Sequence, residues 1–403
     1  MKQHIKSNTI IFYVSVIVLC ILFLFIGNRI ASDDNLQTDH DFEDISYYTA
    51  IVTQIVDRVE DSQFGFTNIT IYFEARITGS GRRGDIVSGE QHQSDFFLVT
   101  LRDISVGNRV LLAYDSFGQR YFFVDFVRIN GVAVLGAVFL VLVIVFGRIK
   151  GLNAIVALGF TCMSVFFVFI PAILSGRNIY LATLIVCLYA IASTLLIVIG
   201  PNKKALSAML GCLGGVLLAG VLMLVIGSVL ELTGLVDQDT QVLLMLPTEN
   251  PINLRAIIFA GVILGAVGAI MDVAMSISSS LWEVREAGGV SDFASIVKSG
   301  ITIGKDILGT MLNTLILAYI GSSLSLILLI NVHSTSYLEL LNMEMIIVEF
   351  LRALVGSFGM LLTIPLTAGI CGWLYTRNTT QVPNKNDEYQ DFYDEYVQDN
   401  TRG

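Results

Sequence analysis

The sequence predicts an α-helical polytopic membrane bundle, an N-terminal anchor plus seven spanning helices, with a small all-β module outside the cytoplasm. Three observations predict it. The 403-residue chain is 54% hydrophobic and only 14% charged, and its mean hydropathy of +0.72 is too high for a soluble fold. Apolar runs long enough to cross a hydrocarbon core of about 30 Å follow one another closely from residue 130 onward. Between the anchor and these runs lies a stretch rich in Val, Ile, Phe and Tyr, cut into short segments by turn formers.

Residues 1–28 read as the anchor. The apolar run 9–26 follows Lys2 and Lys6, no small-residue cleavage site follows it, and Asn28-Arg29 interrupts where one would stand. An uncleaved anchor with a basic start places the amino terminus in the cytoplasm. Residues 29–129 then form the extracytoplasmic module, beginning with an acidic linker over 32–44. Segments 48–57, 67–77, 86–91, 96–101, 110–114 and 120–127 alternate in part and predict strands of a small barrel or sandwich, with an OB-type barrel among the candidates. Arg83-Gly84-Asp85 reads as a turn.

Residues 130–376 form the membrane domain, with spans predicted at 131–146, 153–174, 179–199, 205–232, 254–281, 306–330 and 352–375. Alternation places Arg148, Lys150, Lys203, Lys204, Arg285, Lys298, Lys305 and Arg377 on the cytoplasmic side with the amino terminus. Between the fifth and sixth of these spans, residues 291–305 carry Phe293, Ile296, Val297 and Ile301 near one face. The spacing predicts a short helix on the cytoplasmic interface, with Ser291 as its N-cap. Residues 377–403 form an acidic, aromatic cytoplasmic tail.

Composition excludes several function classes. A formal net charge of -10 with no basic stripe argues against nucleic acid as a partner. The cysteines Cys20, Cys162, Cys187, Cys212 and Cys371 lie singly in apolar runs and read as packing residues, so neither a metal site nor a bound cofactor is expected. His-Glu-x-x-His is absent, Gly300-Ile-Thr-Ile-Gly304-Lys305-Asp306 is not a phosphate loop, and Asp306 lies too near the membrane edge to pair with Asp272 as a protease. The chain does not read as an enzyme.

The chemistry concentrates on residues 256–283. Asp272 sits in the middle of an apolar run, where a charged side chain costs about 2.5–3.5 kcal/mol on insertion scales and must meet protein, water or an ion. At 3.6 residues per turn Asp272, Ser276, Ser279 and Glu283 share one face, and Gly261, Gly265 and Gly268 admit a close neighbour. In the sixth span Asp306, Thr310 and Asn313 repeat at i, i+4 and i+7, and in the seventh Thr363 and Thr367 flank Pro365. Counted from the cytoplasmic ends, Asp272, Asn313, Thr363 and Thr367 all lie roughly 12–18 Å deep. One depth predicts one polar cavity, open to the cytoplasm, with a small cation or proton as the species bound.

Gly268-Ala-Ile-Met-Asp272-Val-Ala-Met-Ser276, followed by Gly304-Lys-Asp306-Ile-Leu-Gly309-Thr-Met-Leu-Asn313-Thr314-Leu-Ile-Leu-Ala-Tyr319, resembles the YibE/F-like family of bacterial multi-pass membrane proteins. The length and external module are similar to those of the longer, YibE-like members. The resemblance implies a cell-membrane location and makes a second, shorter family subunit a candidate partner beside the lipid bilayer. It implies no reaction. Two functions fit these residues: a transporter or permease for a small ion or solute, and a non-transporting assembly or sensory protein whose external module binds an envelope partner.

Overall fold

A computed structural model of the chain describes residues 2–32, 45–63, 66–79, 82–94, 102–115, 118, 120–245, 251–287, 292–332 and 337–377. It forms two compact units, residues 37–146 and residues 1–36 with 147–403.

In the first unit five strands, β1 (Ile45–Gln63), β2 (Phe66–Ile77), β3 (Ile86–Ser94), β4 (Arg109–Asp115) and β5 (Arg120–Phe126), close a barrel in the order β1-β2-β3-β5-β4. All neighbours are antiparallel except β3 and β5, which run parallel through Gly89 and Glu90 opposite Tyr121 and Phe122. This is the five-stranded Greek-key closure of an OB-type barrel. Strand β1 serves two neighbours because bulges between Val52 and Gln54 and between Ile55 and Asp57 bend it around the barrel. Alternation sets the interior: Phe73, Ala75 and Ile77 are buried, while Arg76 between them is exposed. The predicted segment 96–101 lies outside the described residues. Arg83-Gly84-Asp85 lies in the β2–β3 turn, with Gly84 at φ 102° and the Ile77 N–H donating to the Asp85 carbonyl at 2.9 Å.

Gln91 is a buried polar residue of the barrel with a clear role. Its Nε2 donates to the Arg102 carbonyl at 3.1 Å and its Oε1 accepts from the Ile104 N–H at 3.2 Å, tying the segment before β4 to the core. Gly89 is required beside it, because a Cβ there would stand 2.7 Å from Cζ of fully buried Phe73. Gly89→Ala is therefore expected to destabilise the barrel by about 1–3 kcal/mol. The check is faster hydrogen exchange of β2 and β3 amides in the full-length protein, with amides of the helical unit unchanged.

The second unit is helical, and the helix over residues 129–164 straddles the boundary, its part up to residue 146 falling in the first unit. Helix α1 (Lys2–Ala31) covers the stretch expected as the anchor. Helix α2 (Ile129–Ser164) leads through one π-turn (Val165–Phe169) into α3 (Ile170–Leu174), and then come α4 (Ile179–Val198), α5 (Lys203–Val229), α6 (Gln238–Leu244), α7 (Leu254–Glu286), α8 (Phe293–Ser322), α9 (Leu324–Val332), α10 (Tyr337–Asn342) and α11 (Glu344–Thr376). Among the described residues seven stretches are long and apolar enough to cross a membrane, one of them the 46 residues Ile129–Leu174. At 1.5 Å per residue that stretch is about 69 Å long, twice what one crossing needs. It is broken at Arg148, with φ 49° and ψ -128°, between the two spans expected there. Polar caps mark the starts of four long helices: Asn178, Asn202, Asn253 and Asp292 each accept a backbone N–H of the first turn of α4, α5, α7 and α8.

Two expectations are corrected. The segment expected as a separate interfacial helix is the first half of α8, which runs unbroken from Phe293, and its cap is Asp292. The reason is packing: Gly300 and Gly304 seat this half against Ala368 and Ile364 of α11, so it belongs to the bundle instead of the interface. The sixth span, expected as one run to residue 330, ends at Ser322 and resumes as α9. The Ser323 hydroxyl between them donates to Glu349 Oε2 at 2.7 Å.

Helix α7 is the centre of the bundle and contacts α4, α5, α8 and α11. Its buried side is Ile263, Ile270, Val273, Ala274, Ile277 and Leu281. Polar groups fasten both ends. Lys204 pairs with Glu283 at 3.7 Å and Lys203 Nζ donates to the Leu374 carbonyl at 3.4 Å. At the other end Glu344 accepts from the backbone N–H groups of Thr233 and Gly234 at 2.8 and 2.6 Å and from the Thr233 hydroxyl at 2.6 Å.

Candidate functional site

The sequence-predicted polar residues divide between two places. Thr363 and Thr367 are fully buried in the seam between α11 and α5. A Cβ on Gly215 would stand 1.8 Å from Thr363 Oγ1, and one on Gly211 would stand 2.1 Å from Thr367 Oγ1. The two glycines, one turn apart, let the threonines press against the α5 backbone. Thr363 donates to the Gly359 carbonyl at 2.7 Å, while Thr367 Oγ1 is buried with no partner among the described residues. Pro365, between them, is exposed on the other side of α11, which runs through it unbroken.

Asp272 lies on the opposite side of α7 from the buried Ile270, Ala274 and Ile277, and it is exposed. Gly261 and Gly268 share that face, and a Cβ on either would meet none of the described residues within 4 Å. At Gly265 the face is bordered by α8, whose Tyr319 hydroxyl stands 3.2 Å from the position of a Cβ. Ser276 and Ser279 on the same side are half-buried, and Glu283 is exposed. On α8, Asp306, Gly309, Thr310 and Asn313 are all exposed, away from the Ile296, Gly300 and Gly304 side that packs on the bundle. Thr310 turns its hydroxyl back to the Ile307 carbonyl at 3.0 Å. Among the described residues neither the Asp272 carboxylate nor the Asn313 amide has a hydrogen-bond or ion-pair partner.

The structure thus leaves an acid, two unpacked glycines and the small or polar face of α8 open at mid-bundle. It holds Thr363 and Thr367 in a different layer, behind α7. Helices α7 and α8 pack on one another. An acid at this depth, on a strip without Cβ atoms, is suited to bind a cation or proton where a neighbouring helix comes close.

A second polar cluster was not anticipated from the sequence. Ser207 of α5, Ser278 of α7 and Tyr375 of α11 are fully buried and mutually hydrogen-bonded, at 2.6 Å between the serines and 2.9 Å from each serine to the tyrosine hydroxyl. Ser278 Oγ also lies 2.7 Å from the Lys204 carbonyl. The cluster joins three helices just inside the Lys204–Glu283 pair. Its only sequence signal was Ser278 within the run Ser276 to Ser280, where period 3.6 turns Ser278 away from the face that Ser276 shares with Asp272.

Among the described residues no group of three or more His, Cys, Asp and Glu side chains gathers as a metal site. No curated protein matches the chain, and no solved structure does. One family model does, that of the YibE/F-like protein, over residues 135–377, more than half of the chain. That span holds α7, α8 and α11 with Asp272, Asn313 and the Gly211–Gly215 seam, and the chain belongs to the YibE/F-like family.

Proposed function

We propose that the chain is a subunit of a transporter for a small cation or proton, with Asp272 as the binding carboxylate on a helix face completed by a second YibE/F-family subunit. In the simplest assembly that subunit is another copy of this chain. The observation that carries the reading is the exposure of Asp272 beside Gly261 and Gly268, with none of the described residues packed on the glycines. A carboxylate left in lipid costs about 2.5–3.5 kcal/mol, whereas a helix seated on the glycines would remove it from lipid and leave room for an ion. Asn313, Thr310 and Asp306 on the adjoining helix would line the same interface nearer the cytoplasm.

The proposed topology has both termini in the cytoplasm and the barrel outside. It is supported by the gathering of Lys203, Lys204 and the carboxyl ends of α7 and α11 at one end of the bundle. The alternative, an assembly or sensory protein, is favoured by the barrel, because OB-type closures commonly serve as binding modules.

Proteoliposomes loaded with a pH- or cation-sensitive dye distinguish the two. Wild-type protein is expected to carry flux that falls at least tenfold in Asp272→Asn, with the thermal unfolding midpoint of the variant retained. Equal flux from both proteins, or none from either, overturns the transport reading.

A further inference from the structure

Beside α1 the helical unit holds a cavity of about 650 Å³ that the transport reading does not use. We propose that it is a binding site for one anionic phospholipid, with an acyl chain along Leu19, Leu22, Phe23 and Ile185 and the phosphate at Arg177. The volume is that of a small-molecule site.

Length supports the assignment. The α1 wall of the cavity runs from Leu19 to Ala31, and the α4 wall from Ile185 back to Asn178, so both walls end at the same mouth. Twelve helical steps make the α1 wall about 18 Å long, close to one leaflet, half of a hydrocarbon core of about 30 Å. An acyl chain lying there would begin at the bilayer midplane and bring its headgroup to the mouth.

Charge and rigidity support it as well. Among the described residues Arg177 is the only charged one lining the cavity, it is exposed, and it has no acidic partner there. The turn that holds it is fixed: Gly176 adopts φ 67°, the Arg177 N–H donates to the Ala172 carbonyl at 3.0 Å, and Asn178 caps α4 through the Leu181 N–H at 3.2 Å. The amino end of α4 adds a partial positive charge beside the guanidinium. Deeper in, Phe23 is held by stacking on Tyr189, ring centroids 4.2 Å apart. Half of the lining residues are Leu, Ile or Phe, whereas seams between membrane helices favour small residues. The one glycine, Gly27, is already in use, since a Cβ there would stand 2.9 Å from Val168. Long apolar walls closed by one cation at the interface match a lipid better than a helix.

The test is titration of the purified full-length protein with phosphatidylglycerol and with phosphatidylcholine of identical acyl chains, bound lipid being counted by native mass spectrometry. The wild type is expected to bind phosphatidylglycerol at least tenfold more tightly. Arg177→Glu should abolish the preference, Arg177→Lys should keep most of it, and Ile185→Trp should weaken both lipids. Arg177→Gln carries the prediction of Arg177→Glu should that variant fail to fold. Equal affinity of the wild type for the two lipids, or a preference intact in Arg177→Glu, overturns the proposal. So does efficient disulfide formation in membranes between cysteines at Ile185 and Val138, or between Ile185→Cys of two copies, because a protein helix would then fill the groove.

Discussion

Gly215→Ala is expected to cost the bundle about 3 kcal/mol or more, the upper end of what overpacking does. The added methyl would lie 1.8 Å from Thr363 Oγ1, and 3.1 Å from both Thr363 Cβ and Ile270 Cγ2. Threonine on a helix has few rotamers to escape into, and leaving its present one breaks the bond to the Gly359 carbonyl. The remaining response is separation of α5 from α11, which would open the seam along Gly211 and Thr367. Thr363→Ala in the same chain should restore more than half of the lost stability, since it removes the atom in the way, and the coupling is read from a double-mutant cycle of thermal unfolding in detergent. At Gly211 the comparable rescue by Thr367→Ala should be weaker, because Thr367 Cβ and Cα also crowd the site, at 2.9 and 3.1 Å. An unchanged unfolding midpoint in Gly215→Ala would show that α5 and α11 do not meet through this seam.

The contrast between Thr363 and Asp272 shows what a sequence can convey about such a bundle. Helix boundaries were legible because lipid imposes length on each apolar run. The barrel was legible because alternation and turn chemistry are local. Depth was legible too, since it only counts residues from an end. What depth cannot supply is azimuth, the direction in which a side chain leaves its helix relative to its neighbours. Thr363, Thr367, Gly211 and Gly215 lie at the depth of Asp272, and the threonines and glycines do meet one another. They meet behind α7, while the acid looks out from its far side. The same limit hid the Ser207–Ser278–Tyr375 cluster, whose members come from helices 71 to 168 residues apart in the chain. The first half of α8 was misread as interfacial for the converse reason: Phe293, Ile296, Val297 and Ile301 form an apolar face that suits a membrane surface, yet Gly300 and Gly304 dock it on α11.

Azimuth also makes Asp272→Leu the most decisive single substitution for the proposed function, because its two possible environments give opposite signs. If the carboxylate faced lipid in the working protein, leucine would remove a charge that costs about 2.5–3.5 kcal/mol at mid-bilayer, and the variant would be more stable with its association unchanged. If a second subunit covers the face, the carboxylate instead sits at a protein interface with water, an ion or a donor from the other subunit. Leucine would then fill the space above Gly268 and leave that group without its partner. The expected result is the second: self-association of labelled protein in liposomes, followed by energy transfer, weakens at least tenfold, or about 1.4 kcal/mol. Flux is lost with it. Asp272→Asn, which keeps the shape and can still hydrogen-bond, should lose flux but keep association. A raised unfolding midpoint in Asp272→Leu with association intact would place the acid in lipid, and the shared pathway would have to be abandoned.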